Sequence, residues 1–114
     1  MMDRPFILFI EDIRISLEKI RRDTNGMDYQ TFIRDELVMD GVVRNLEIIG
    51  EASKTIPKEI RDKYPDIPWR SMIALRNVAA HDYFHLELKI IWDILTIDLP
   101  ETAPKIEMML NKEK

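Results

Sequence analysis

Apolar residues recur at alternating steps of three and four along most of this 114-residue chain, and this spacing restricts the fold more than any other feature. A helix with about 3.6 residues per turn brings such positions onto one face, whereas a strand needs alternation at every second residue. The first stripe consists of Phe6, Ile10, Ile13, Leu17 and Ile20. It predicts an amphipathic helix from about Pro5 to Arg22 that buries one face against other helices.

A second apolar stripe predicts one long helix over Tyr29–Ile56. Its members are Met39, Val42, Leu46, Ile49, Ser53 and Ile56. Before it, Gly26 tolerates the left-handed conformation that follows a helix end, and Asp28 can cap the next start. Asp40-Gly41 could allow a bend, but the phase of the stripe continues through it. Pro57 then ends or sharply kinks this helix.

The remaining third of the chain predicts two further helices and a short terminal one. Lys58–Pro68 reads as a short helical turn followed by a loop, and Pro68-Trp69 opens a third helix. After Phe84-His85-Leu86 a fourth helix has the stripe Leu88, Ile91, Trp92, Leu95 and Leu99. Pro100 and Pro104 should kink this helix or restart it as a short terminal helix ending near Leu110.

Four helices with short connections predict an all-α, up-and-down four-helix bundle with a short extra C-terminal helix. We expect one domain over residues 1–114, because a chain of this length buries only one core. The 46% hydrophobic and 33% charged composition, with only three glycines, favours a helical globular protein.

Composition also excludes several functional classes. The absence of cysteine excludes disulfides, thiolate metal sites and cysteine nucleophiles, and it fits a reducing cytoplasm. The apolar run Pro5–Ile10 is too short to span a membrane, so a cytoplasmic, untargeted protein is expected. A net charge of −4 disfavours nonspecific nucleic-acid binding over the whole surface. Any RNA contact must therefore be local.

One polar octapeptide, Arg76–Tyr83, interrupts the apolar run of the third helix and carries the chemistry. Metal-independent RNA cleavage requires proton transfers, which histidine performs near neutral pH, and charge stabilisation on phosphorus, which a guanidinium provides. Arg76 and Tyr83 lie within roughly 20° of each other on an ideal helix, but His81 lies about 140° away. Arg76 and His81 can therefore share a site only at a loosened helix end or across a dimer.

Less specific interpretations of these residues stay open. Arg76 could form a structural salt bridge with Glu47 or Glu51, and His81 could cap a helix C-terminus. His85 is most simply a connector residue; a metal site at His81 and His85 lacks a third ligand, so no metal or cofactor is expected. Four further carboxylates read as solvated charges: Asp12, Glu18, Glu47 and Glu51. The aromatic and thioether side chains read as core or interface material: Trp69, Trp92, Met108 and Met109.

The spacing of Arg76, His81 and Tyr83 resembles the R-x4-H-x-Y motif of HepT-like toxins in the HEPN superfamily. The polar Asn77, the segment Arg44–Ala52 and the proline-rich connection to Trp69 are also similar to these proteins. The resemblance covers nearly the whole chain. It implies an all-α dimer, a metal-independent RNase with arginine and histidine in its active site, and a cognate minimal nucleotidyltransferase antitoxin that attaches AMP to Tyr83.

The leading hypothesis is the toxin half of a toxin-antitoxin pair, an endoribonuclease in which a homodimer brings two motifs to one cleft. Arg76 would hold the scissile phosphate, His81 would act as general acid or base, and Asn77 would orient the site. AMP on Tyr83 would block RNA by bulk and negative charge. The alternative is a non-catalytic HEPN adaptor that binds a nucleotidyltransferase or its nucleotide. A third hypothesis is a helical dimer whose octapeptide serves packing and one salt bridge.

Overall fold

A computed structural model describes residues 4–80 and 88–114 of the chain, and this part is an all-α bundle without a strand. The helices are α1 (Phe6–Thr24), α2 (Tyr29–Arg34), α3 (Glu36–Thr55), α4 (Lys58–Arg61), α5 (Trp69–Ala80), α6 (Leu88–Asp93) and α7 (Leu99–Glu113), with a π-helical turn over Ile94–Asp98. The predicted fold class is confirmed. None of the described helices is long and apolar enough to cross a membrane.

Helix α3 is the centre of the bundle, with α1 packed on it and α5 in extensive contact with it. The apolar stripe predicted for this helix is fully buried: Met39, Val42, Leu46, Ile49, Ser53 and Ile56. Helix α1 turns its own buried stripe inward and also contacts α7. Each fully buried Ile or Leu contributes about 2 kcal/mol. Apolar burial between these helices therefore fixes where α5 and its polar residues lie.

The predicted helix over Tyr29–Ile56 is two helices, and the prediction of one continuous helix was wrong. The break lies at Asp35, whose φ of −105° and ψ of 89° are not helical. The Asp35 side chain accepts a hydrogen bond from the Val38 amide at 3.1 Å, which caps α3. Gly41, where a bend seemed possible, lies inside α3. A local side-chain cap thus ends a helix that the apolar period alone would continue.

The terminal helix is also longer than predicted. The chain passes from α6 through the π-helical turn Ile94–Asp98 into α7, which has 15 residues and continues to Glu113. Pro100 lies in the first turn of α7, where a missing amide hydrogen is harmless. Pro104 lies inside the helix. The wider π turn comes directly before these prolines and allows the helix to restart instead of stopping.

The loop before α5 is held by a tryptophan and confirms the predicted start of that helix. Trp69 is buried, and its Nε1 donates hydrogen bonds to the carbonyls of Arg61 and Tyr64, both at 3.1 Å. The Met72 amide donates to the Pro68 carbonyl at 3.0 Å, so Pro68 directly precedes the first turn. Gly26, in the loop after α1, has φ of 79°, the left-handed conformation expected there.

Candidate active site

Helices α3 and α5 approach each other closely at Gly50 and Arg76. A Cβ atom at Gly50 would lie 2.5 Å from the Arg76 amide nitrogen and 2.8 Å from the Arg76 Cβ. Real Cβ atoms do not approach other atoms so closely, so only glycine fits without displacing α5. Tight packing between α3 and α5 therefore fixes the backbone of Arg76, the candidate phosphate-binding residue.

The side chain of Arg76 leaves this contact toward solvent and pairs with Glu51. Its Nε makes the closest approach to Glu51 Oε1, and the two side chains are 47% and 51% exposed. This ion pair was one of the two proposed for Arg76 from the sequence. Met72, one turn earlier, is buried. Arg76 thus lies where the apolar stripe of α5 reaches solvent, and its charge keeps both a partner and contact with water.

A surface groove of about 310 Å³ lies beside Glu51, between α1 and α3. Its lining is Phe9, Asp12, Arg44, Glu47, Ile48, Glu51, Ala52 and Thr55. Glu47 lies one turn before Glu51 and pairs with Arg44 instead of Arg76. Just before α1, Arg4 hydrogen-bonds Asp12 with both terminal nitrogens, and its guanidinium lies 4.7 Å from the centre of the Phe9 ring. The groove therefore presents Arg44 and three carboxylates, those of Asp12, Glu47 and Glu51.

The four carboxylates that were interpreted as solvated charges are partly exposed, and each also pairs with an arginine. The pairs are Asp12 with Arg4, Glu18 with Arg21, Glu47 with Arg44, and Glu51 with Arg76. Only one of these pairs involves an arginine of the octapeptide. Surface pairs of this kind add little stability, so their importance lies in where they hold the guanidinium groups.

Two of the predicted site residues are described and two are not. Arg76 and Asn77 lie next to each other on α5, and both are exposed. His81 and Tyr83 lie outside the described residues, as does His85. Among the described residues no group of three potential ligands could hold a metal ion.

The sequence prediction missed Gly50 as a part of the site. Gly50 was noted only within the family-like segment, although a glycine inside a strongly apolar helix is itself a signal of close backbone approach. The partner of that approach could not be deduced from one helix. It becomes visible only when α3 and α5 are placed together.

This arrangement can bind an anion but holds no described proton donor or acceptor near neutral pH. The closest contact of the Glu51 carboxylate is with the Nε of Arg76 and not with a terminal amino group. A guanidinium has several N–H donors and can bind phosphate oxygens in two places. The described part of the site is therefore a fixed guanidinium available to a phosphate.

Comparison with known proteins identifies the family. Residues 13–109 match the family described as "HepT-like: Ribonuclease HepT-like". "Putative RNase MJ1380" of Methanocaldococcus jannaschii is 36% identical over 109 residues, covering 96% of this chain and 100% of that protein. "Probable ribonuclease HepT" of Thermococcus cleftensis is 36% identical over 108 residues, covering 95% and 98%. "Putative RNase TTE0752" of Caldanaerobacter subterraneus is 34% identical over 112 residues, covering 97% and 96%.

No solved structure matches the chain significantly. The family match contains α3, α5 and the entire octapeptide, and the relatives align over nearly their full lengths. With its all-α bundle and its exposed Arg76 inside the matched region, this chain belongs to the HepT-like ribonuclease family.

Proposed function

We propose that this chain is a metal-independent endoribonuclease and the toxin component of a toxin-antitoxin pair. The observation that carries the proposal is the position of Arg76, whose backbone packs on Gly50 while its guanidinium reaches solvent. Family membership and the ribonuclease names of the relatives support RNA as the substrate. The acidic net charge of −4 is compatible with this role because the proposed RNA contact is local, at Arg76.

The reaction needs no group beyond the RNA and the motif residues. The 2'-hydroxyl loses its proton to a general base, and its oxygen attacks the adjacent phosphorus. The bond from phosphorus to the 5'-oxygen breaks, and that oxygen takes a proton from a general acid. His81 serves as base or acid, and Arg76 stabilises the charge that develops on the phosphoryl oxygens. The products are a 2',3'-cyclic phosphate and a free 5'-hydroxyl.

One motif supplies one histidine, and the reaction uses both an acid and a base. A homodimer that brings two motifs to one cleft would supply the second histidine and a second guanidinium. It would also allow Arg76 of one chain to meet His81 of the other, although the two residues of one chain are about 140° apart around an ideal helix. Asn77, which is exposed beside Arg76 on α5, would orient such a cleft by hydrogen bonding.

Tyr83, the last residue of the motif, is the proposed site at which the ribonuclease activity is regulated. Tyr83 comes seven residues after Arg76, which on an ideal helix is the same stripe. We propose that a cognate minimal nucleotidyltransferase transfers AMP from ATP to its hydroxyl: the phenol oxygen loses its proton and attacks the α-phosphorus, and pyrophosphate leaves. The added phosphate and nucleoside would then repel and exclude an RNA strand from Arg76.

Growth and RNA integrity after expression of the unmodified protein test the proposal. Wild-type protein should arrest growth and degrade RNA, whereas His81→Ala and Arg76→Ala should do neither. Equal arrest and equal breakdown from all three would contradict it. Tight binding to the nucleotidyltransferase without cleavage at any protein concentration would favour the adaptor alternative.

Attachment of AMP is a separate measurement. Mass spectrometry of protein co-expressed with the nucleotidyltransferase should find AMP on the Tyr83 peptide, and Tyr83→Phe should abolish it. Modification at another residue, or none, would contradict this part of the proposal without affecting the ribonuclease activity.

A further inference from the structure

Within residues 4–80 and 88–114, Glu51 is the charged partner of Arg76, and it directly follows the glycine on which Arg76 packs. We propose that Glu51 is a positioning residue for the ribonuclease reaction: it holds the Arg76 guanidinium in the orientation that binds the scissile phosphate. The inference rests on the proposed function. Glu51 touches neither RNA nor the reacting atoms in this account, and it acts only through Arg76.

The Arg76 side chain can adopt many rotamers unless something beyond its backbone holds it. The contact with Gly50 fixes the Arg76 backbone and Cβ, but not the long side chain beyond them. An arginine that is half exposed samples many rotamers unless a partner selects one. A catalytic group displaced by about 1 Å can lose about 100-fold in rate. Fixing the backbone alone would therefore leave the active orientation poorly populated.

The Glu51 carboxylate contacts Arg76 at one particular nitrogen of the guanidinium. The closest approach joins Glu51 Oε1 to the Nε of Arg76. The two terminal amino groups are not the atoms of closest contact, and a guanidinium can grip phosphate oxygens through them. Glu51 can therefore stay in place while Arg76 binds a phosphate. The same carboxylate serves as an anchor and not as a competitor that RNA must displace.

Glu47 resembles Glu51 in position and exposure but differs in its ion-pair partner. Both carboxylates lie on the same side of α3 one turn apart, with 51% and 43% of the side chain exposed. Each forms an ion pair with one arginine, but Glu47 pairs with Arg44 on its own helix, whereas Glu51 reaches across to α5. Removing either one removes the same charge from nearly the same place. Glu47 is thus a matched control for the effect of charge.

Steady-state RNA cleavage by purified, unmodified protein tests the proposal, with Glu51→Gln and Glu47→Gln compared to wild type. Loss of a negative charge should leave KM unchanged or lower it in both variants, because RNA is repelled less. Only Glu51→Gln should also lose kcat, by about 10- to 100-fold. Glu51→Asp, which keeps the anchor charge, should recover part of that kcat. Unchanged thermal unfolding midpoints would show that both variants fold.

Three results would overturn the proposal. If wild type cleaves RNA and Glu51→Gln has the same kcat, or if Glu47→Gln loses as much kcat as Glu51→Gln, Glu51 has no positioning role and the proposed function stands. If wild-type protein cleaves no RNA at all, this inference falls together with the proposed function.

Discussion

Two carboxylates of this protein each tie a helix to another part of the fold, but they do so in opposite surroundings. Glu51 joins α3 to Arg76 of α5 at a place where half of each side chain is exposed. Glu113, at the end of α7, is only 10% exposed and accepts hydrogen bonds from Lys63 Nζ, at 2.8 Å, and from the Tyr64 hydroxyl. In the first pair both side chains reach solvent, whereas in the second the carboxylate is largely buried and only Lys63 is about half exposed.

The two carboxylates illustrate how an ion pair that stabilises the fold differs from one that positions a functional group. The hydrogen bond from Lys63 and the one from Tyr64 hold the pKa of Glu113 below its ordinary value of 4.5. The same contact with Glu113, followed by burial, raises the pKa of Tyr64 to about 12. Such mutual effects mark a structural cluster. At Arg76 the notable feature is the backbone contact with Gly50 and the accessible guanidinium.

The largest expected effect is on catalysis, from Arg76→Ala. Removing a group that stabilises developing charge typically costs about 100- to 1,000-fold in kcat. The control is Arg44→Ala, which removes an exposed arginine paired with Glu47 on the same groove. Cleavage kinetics of the two variants should differ by about that factor. Similar activity in both would mean that Arg76 is merely one of several surface cations.

The second effect is on stability, from Gly50→Ala. The new methyl group would overlap the Arg76 backbone, so α3 and α5 must move apart, at a cost of about 1–3 kcal/mol. Gly41→Ala in the same helix meets nothing within 4 Å and should stabilise the protein by about 0.5–1 kcal/mol. Urea unfolding followed by circular dichroism measures both. Opposite signs are expected, and equal signs would contradict the close contact.

The third effect is smaller and depends on pH, from Glu113→Gln. Loss of hydrogen bonds to a mostly buried carboxylate should cost about 1–2 kcal/mol at neutral pH. Glu101→Gln, on the same helix with a 72% exposed side chain, should cost almost nothing. Urea unfolding at several pH values would compare the two.

The sign of this pH dependence follows from the two pKa shifts. Because the pKa of Glu113 is lowered, its stabilisation is present above 4.5 and is lost as the pH falls through the folded-state value. Because the pKa of Tyr64 is raised to about 12, its stabilisation is present below 10.0 and is lost as the pH rises toward 12. The destabilisation by Glu113→Gln should therefore shrink at both extremes. A constant difference would contradict the cluster.

The smallest expected effect is the change in stability from Glu51→Gln. An exposed pair of this kind contributes about 0.5 kcal/mol or less. Thermal unfolding of Glu51→Gln and wild type should therefore nearly coincide, in contrast to Glu113→Gln. A destabilisation as large as that of Glu113→Gln would mean that both carboxylates mainly stabilise the fold. The distinction between the two regions would then be lost.

The apolar period predicted the helices and their buried faces well because burial in a bundle repeats with the helix turn. It did not predict the break at Asp35, where a side-chain cap competes with a continuing apolar stripe. It also did not predict the extension of α7 to Glu113, because Pro104 is accommodated within the helix after a π turn. Both differences come from local hydrogen bonding, which the pattern of apolar residues does not contain.

The candidate site was predicted in part. Arg76 and Asn77 stood out because polar residues interrupted an apolar run, and the ion pair with Glu51 was one of two possibilities. The role of Gly50 could not be deduced, because a close approach involves two helices that are distant in sequence. The roles of His81 and Tyr83 remain predictions from the motif.

The most direct test of the central claim is the chemistry of the RNA ends produced by purified, unmodified protein in excess metal chelator. The account predicts full cleavage, with 2',3'-cyclic phosphate and 5'-hydroxyl ends, and no such ends from Arg76→Ala. Cleavage that the chelator abolishes, or fragments ending in 5'-phosphate, would contradict it.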